Sequence, residues 1–222
     1  MLGWLAFAAL IGAHIVGFAI SRPDRDMGHL QKIMYLHFPV ALTAFGSFAV
    51  VFVASGLYLL RRAEHYDLLA ASAAEVGVVL TALTLSLGSI WARPTWGVWW
   101  TWDPRVTTTA IMLLVYVGYL ALRAFTEDPE QRARWSAAVG MLGFLNVPVV
   151  YMSVRWWRSI HQVQSSPSTV APAYALSLRL HFIAFLLIFV YFIGRRYHAA
   201  RLERAATAAV EEAALTEGEV HV

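Results

Sequence analysis

Six stretches of the chain are apolar and almost free of charge, and each approaches the roughly 20 residues an α-helix needs to cross bilayer hydrocarbon. They run Leu2–Ile20, Lys32–Leu60, Leu68–Ile90, Val106–Leu122, Trp135–Val154 and Leu178–Gly194. Polar or aromatic connections separate them: Ser21–Gln31, Arg61–Asp67, Trp91–Arg105, Arg123–Arg134 and Arg155–Ser177. The second run exceeds one crossing, so its first turns are expected in the interface. In the fifth, Asn146 and Pro148 predict a kink, because Pro removes a backbone donor and crowds the preceding turn. The pattern predicts an all-α, polytopic membrane protein: a six-helix domain over residues 1–194 and a tail over 195–222, a helical extension fraying into disorder. The first run has no Lys or Arg before it and no small-x-small site ahead of Ser21, so it reads as a retained helix rather than a cleaved signal.

Composition sharpens this picture. The 222 residues are 59% hydrophobic and 14% charged, against roughly a quarter charged in a soluble domain. A net charge of +3, spread between apolar runs, argues against nucleic-acid binding. The absence of cysteine excludes disulfides and thiolate ligation, leaving His, Met, Tyr and carboxylates for any metal chemistry. No Gly-Lys phosphate loop is present, so ATP hydrolysis is not expected here. An even number of crossings puts both termini on one side. Lys and Arg divide nine to eight between the two faces, and the positive-inside rule barely decides. Dense basic pairs at helix ends (Arg61–Arg62, Arg195–Arg196) favour cytoplasmic termini and an outer Trp91–Arg105 loop.

That loop holds five of the nine tryptophans, at 91, 96, 99, 100 and 102. Indoles favour membrane interfaces, and a simple aromatic belt is one reading. Flat aromatic faces, with Gly97 allowing close backbone approach, also suit a large planar ligand. The residues alone leave both open.

The segment Trp96-Gly-Val-Trp99-Trp100-Thr-Trp102-Asp103 resembles the WWD signature of haem-handling proteins of cytochrome c biogenesis. Within that superfamily, which includes CcmF and CcsA, the chain is most similar to haem exporter protein C (CcmC). The six-run layout, Arg105, Thr107, the segment Lys32–Pro39 and the segment Asn146–Gln162 carry the likeness; Pro104 departs from it. The resemblance implies a haem-binding membrane chaperone that holds non-covalent, b-type haem at the periplasmic face of the bacterial inner membrane. It implies delivery to the haem chaperone CcmE, with the small CcmD subunit, the CcmA–CcmB ATP-binding-cassette pair and membrane lipid as partners, and haem delivery rather than catalysis. The competing readings are a cytochrome c haem lyase, an electron-transfer cytochrome b and a haem transporter.

Of eight histidines, His65, His198 and His221 fall on the side opposite the aromatic loop, His14 inside the first run, and His29 and His161 in outer loops. His37 and His181 stand near the outer starts of the second and sixth runs. Two imidazoles on rigid helix ends can sandwich a porphyrin iron, and the resemblance points to the same pair as metal ligands. Haem propionates need donors, and the planar guanidinium fork suits them; Arg105 and Arg155 are the candidates, over Arg93 and Arg158. Trp96, Gly97, Trp99, Trp100 and Trp102 are expected to form the platform. Asp103 is expected to cap the next helix or orient a neighbour. Glu75, an acid within an apolar run, is a further candidate.

Overall fold

The computed structural model describes residues 1–162 and 170–220, so the middle of the expected 155–177 loop and the last two residues of the tail lie outside the described residues. The described residues are mostly helical and form no β-strand. Helix α1 (Leu2–His14) runs into a π-helical turn, Ile15–Ile20, and a 3-10 turn, His29–Ile33, leads into α2 (Met34–Arg61). Then follow α3 (Glu64–Trp96), α4 (Pro104–Phe125), α5 (Pro129–Phe144), α6 (Asn146–Trp156) and α7 (Pro172–Val220). Six segments are long and apolar enough to cross a membrane, α5 and α6 together forming one of them.

Local chemistry sets the ends. Asp103 caps α4, accepting from the Arg105 N–H at 2.9 Å, and Asp128 caps α5, accepting from the Gln131 N–H at 2.6 Å. Each is followed by a proline at the first helical position, where the missing donor costs nothing. Helix α3 reaches six residues past its expected end at Ile90, to Trp96, and stops at Gly97, whose φ of 79° is the left-handed conformation that glycine tolerates. The kink expected in the fifth crossing is a break at Leu145 between α5 and α6. There the Asn146 amide donates to the Thr108 carbonyl of α4 at 2.8 Å.

Helix α7 continues past Arg195 into the tail without interruption, and at 1.5 Å per residue its 49 residues span about 70 Å. The connection between the first two crossings is tied to α7 through Tyr174, whose hydroxyl donates to Asp24 at 3.0 Å.

Small buried residues let the central helices approach closely: Ala44, Ser47 and Ala54 on α2 and Ala70, Ala73 and Ala74 on α3 are all buried, and the two helices pack against each other. In a bilayer, such close approach supplies the packing that water exclusion supplies elsewhere. Phe48 stacks on Tyr116 with centroids 3.7 Å apart at the centre of this core. Opposite the tryptophan-rich end, Arg123 grips Asp67 with two hydrogen bonds, 2.5 and 2.8 Å, and Arg196 pairs with Glu75. The intramembrane acid Glu75 is therefore neutralised by α7.

Candidate functional site

At the tryptophan-rich end, α2, α3, α4 and α6 enclose a cavity of about 570 Å³. Its deep part is apolar, with Phe45, Met112 and Val150 among its walls. The Thr81, Thr84 and Thr109 hydroxyls in the same walls bond carbonyls one turn back on their own helices, at 2.7 to 2.8 Å. Toward the mouth the walls turn aromatic and basic: Trp91, Trp96, Trp99, Trp100, His37, Arg105 and His161. This volume lies within the roughly 300–1,000 Å³ of cofactor pockets.

Each polar side chain at the mouth is held by a different device. His37 occupies the first turn of α2, its ring edge-on to Trp91 with centroids 6.0 Å apart. It packs so near Gly88 that a Cβ there would lie 3.1 Å from the imidazole. The His37 Nδ1, Trp91 Nε1 and Arg105 Nε atoms are buried without a hydrogen-bond partner among the described residues. Arg105 spends one terminal nitrogen on the Tyr151 carbonyl at 3.2 Å. A buried, unspent cationic donor beside an unpartnered imidazole fits a ligand that brings carboxylates and a metal.

The indole-bearing connection is pinned at several points. Ser89 donates to the Trp99 carbonyl at 2.7 Å, Arg93 to the Gly97 carbonyl at 2.7 Å, and the Asp103 N–H to the Thr101 hydroxyl at 3.1 Å. A Cβ on Gly97 would meet nothing within 4 Å. Gly97 is required by its left-handed backbone.

Asp103 organises the far rim. Its Oδ2 accepts from the Ser159 hydroxyl at 2.7 Å and the Ile160 N–H at 2.8 Å, and its Oδ1 lies 2.9 Å from His161 Nδ1. Burial raises the Asp103 carboxyl, but the hydrogen bonds from Ser159, Ile160 and Arg105 and the attraction of His161 outweigh it, holding the group below the usual carboxylate range. Burial lowers the His161 imidazole below its ordinary value, Asp103 pulls against that, and the Arg105 cation adds to the lowering. The His161 ring stands edge-on to Trp96 with centroids 4.8 Å apart.

Of the residues singled out from sequence, His37, Trp96, Trp99, Trp100 and Arg105 line this cavity. Trp102 is 80% exposed and lines a shallower depression with Asp103 and Arg158. Arg155, exposed in the last turn of α6, is not in the cavity wall.

His181 is not in the wall either. It is fully buried where α7 meets α1 and α2, stacked on Tyr35 at 5.6 Å, with His14 at 5.1 Å. The physical reason is the helix start: α7 begins at Pro172, not Leu178, which places His181 about two and a half turns in rather than near the first. Its Nδ1 bonds the Ser177 carbonyl at 2.8 Å. Sequence reasoning left His161 among loop histidines. The available signal was its position four residues after Trp157, on the same side as the WWD segment.

The family model described as Heme exporter protein C matches residues 1–212. The chain is similar to Heme exporter protein C of Escherichia coli K12, at 33% identity over 189 residues, covering 83% of this chain and 77% of that protein. It is also similar to that of Bradyrhizobium diazoefficiens, at 35% over 196 residues with coverage of 86% and 74%. The protein of the same name from Paracoccus denitrificans is 34% identical over 190 residues, covering 83% and 78%.

Proposed function

The chain belongs to the Heme exporter protein C family, and on that premise we propose that it receives haem as cargo in the tryptophan-walled cavity and passes it on for cytochrome c maturation. His37 and His161 are the axial ligands in this reading. Trp96, Trp99 and Trp100 offer faces to the macrocycle, and Arg105 offers its unspent donor to a propionate. Haem is held non-covalently, since the cavity has no thiol to attack its vinyl groups.

The observation that carries the proposal is that two imidazoles from distant parts of the chain line one aromatic-walled cavity, one of them braced by the signature's own aspartate. In the cell, the tryptophan-rich end faces the periplasm, the termini face the cytoplasm, and the recipient is the haem chaperone CcmE. The CcmD subunit and the CcmA–CcmB pair are the working partners, the ATP-binding cassette supplying the energy this chain has no site to harvest.

The test is haem titration of the purified protein in detergent, followed by absorption. Wild type is expected to give a six-coordinate, low-spin spectrum, and His37→Ala and His161→Ala each to lose it. Retention of that spectrum in both variants would overturn the proposal.

A further inference from the structure

The Asp103 carboxylate is fully engaged. Oδ1 accepts from the Arg105 N–H and faces His161 Nδ1, each at 2.9 Å. Oδ2 accepts from Ser159 and from the Ile160 N–H, at 2.7 and 2.8 Å. An ionised carboxylate has about two acceptor positions on each oxygen and no hydrogen to give. The hydrogen between Asp103 and His161 therefore sits on Nδ1, which leaves Nε2 as the ring nitrogen available to a metal. This carboxylate–imidazole arrangement is how an outer partner fixes the tautomer of a metal ligand and raises its basicity. No carboxylate faces His37 among the described residues; the Thr84 backbone is its hydrogen-bonding neighbour, and its buried Nδ1 has no partner of good geometry.

We infer that Asp103 is a positioning residue for His161: it fixes the imidazole as the Nδ1–H tautomer and makes it the stronger haem ligand, so that ligand exchange during handover begins at His37. This rests on the proposed haem site. It adds an order to the two ligands, set by the one carboxylate that touches either of them among the described residues.

The tautomer is read without haem. In full-length, haem-free protein with ¹⁵N-labelled histidine, His161, assigned by comparison with His161→Gln, is expected as Nδ1–H with Nε2 unprotonated. Asp103→Asn is expected to shift it to a mixture. In haem-loaded protein, Asp103→Asn is expected to weaken haem binding by about 10–100-fold and to move the midpoint potential to a more positive value, because a less electron-rich imidazole stabilises ferric iron less. His161→Ala is expected to lose more haem affinity than His37→Ala.

Unchanged tautomer, affinity and potential in Asp103→Asn would overturn the inference, as would a larger loss in His37→Ala. Ser159→Ala removes another bond to the same segment while leaving the Asp103–His161 contact. If it reproduced every effect of Asp103→Asn, Asp103 would be only a loop anchor and the inference would fall. An unchanged haem spectrum in both histidine variants would instead remove the haem site and the ligand order with it, while the tautomer measurement stood by itself.

Discussion

His161 Nδ1 lies 2.9 Å from Asp103 Oδ1 across 58 residues of sequence. That contact joins the end of the WWD segment to the connection after α6 and closes the far rim of the cavity. The same aspartate caps α4, so the start of a crossing helix and the orientation of an imidazole depend on one side chain.

Arg105 is expected to contribute to haem affinity without determining ligation. A hydrogen bond to a charged group is worth about 1.5–3 kcal/mol. Arg105→Leu should therefore weaken haem binding by about 10–100-fold while the six-coordinate spectrum persists at saturation. Titration by absorption checks it, with haem lacking its propionate charges (the dimethyl ester) expected to bind wild type and variant alike.

The Asp67–Arg123 pair predicts a stability effect far from the cavity. Asp67 is buried and Arg123 largely so, and removing one partner of a buried pair costs about 3–5 kcal/mol. Asp67→Ala should lower the melting temperature in detergent markedly. Asp67→Leu combined with Arg123→Leu should recover much of the loss, since no charge is then left uncompensated. Thermal denaturation of the three proteins checks both expectations.

Acid should loosen the His161 rim in haem-free protein. Folding lowers the His161 value, so the unfolded segment binds its proton at higher pH than the folded one. The His161 contribution to stability is therefore present above about pH 6.5 and is lost as pH falls through the depressed value. Asp103 acts in the same direction lower down, its contribution complete above about pH 4 and lost as pH falls through its own lowered value. Arg105 faces the same imidazole and keeps its charge throughout. Amide exchange at Ile160, whose N–H donates to Asp103, should show a constant protection factor above about pH 7 and a falling one from there to about pH 5. A rising protection factor over that interval would contradict the sign.

The crossings were legible in the sequence because length and apolarity decide them, and the break at Asn146–Pro148 because proline chemistry is local. The WWD segment carried the aromatic wall, and Arg105 followed from adjacency. What could not be read was the helix register at the sixth crossing. The apolar run starts at Leu178, yet the helix starts at Pro172, and those six residues carry His181 from the expected rim into a buried junction with Tyr35 and His14. Nor could pairing across 58 residues be read, so His161, anchored by Asp103, stayed hidden among loop histidines. The role of Gly97 in ending a helix could not be read either, because the end of α3 lies six residues later than hydropathy alone indicates.

The most direct measurement is the structure of the haem-loaded protein, with the iron located and its axial ligands identified. The expected result is iron in the tryptophan-walled cavity, bonded at about 2 Å by His37 and by the Nε2 atom of His161, with Asp103 still on His161 Nδ1. Iron bonded to His181, or seated away from Trp96, Trp99 and Trp100, would contradict it.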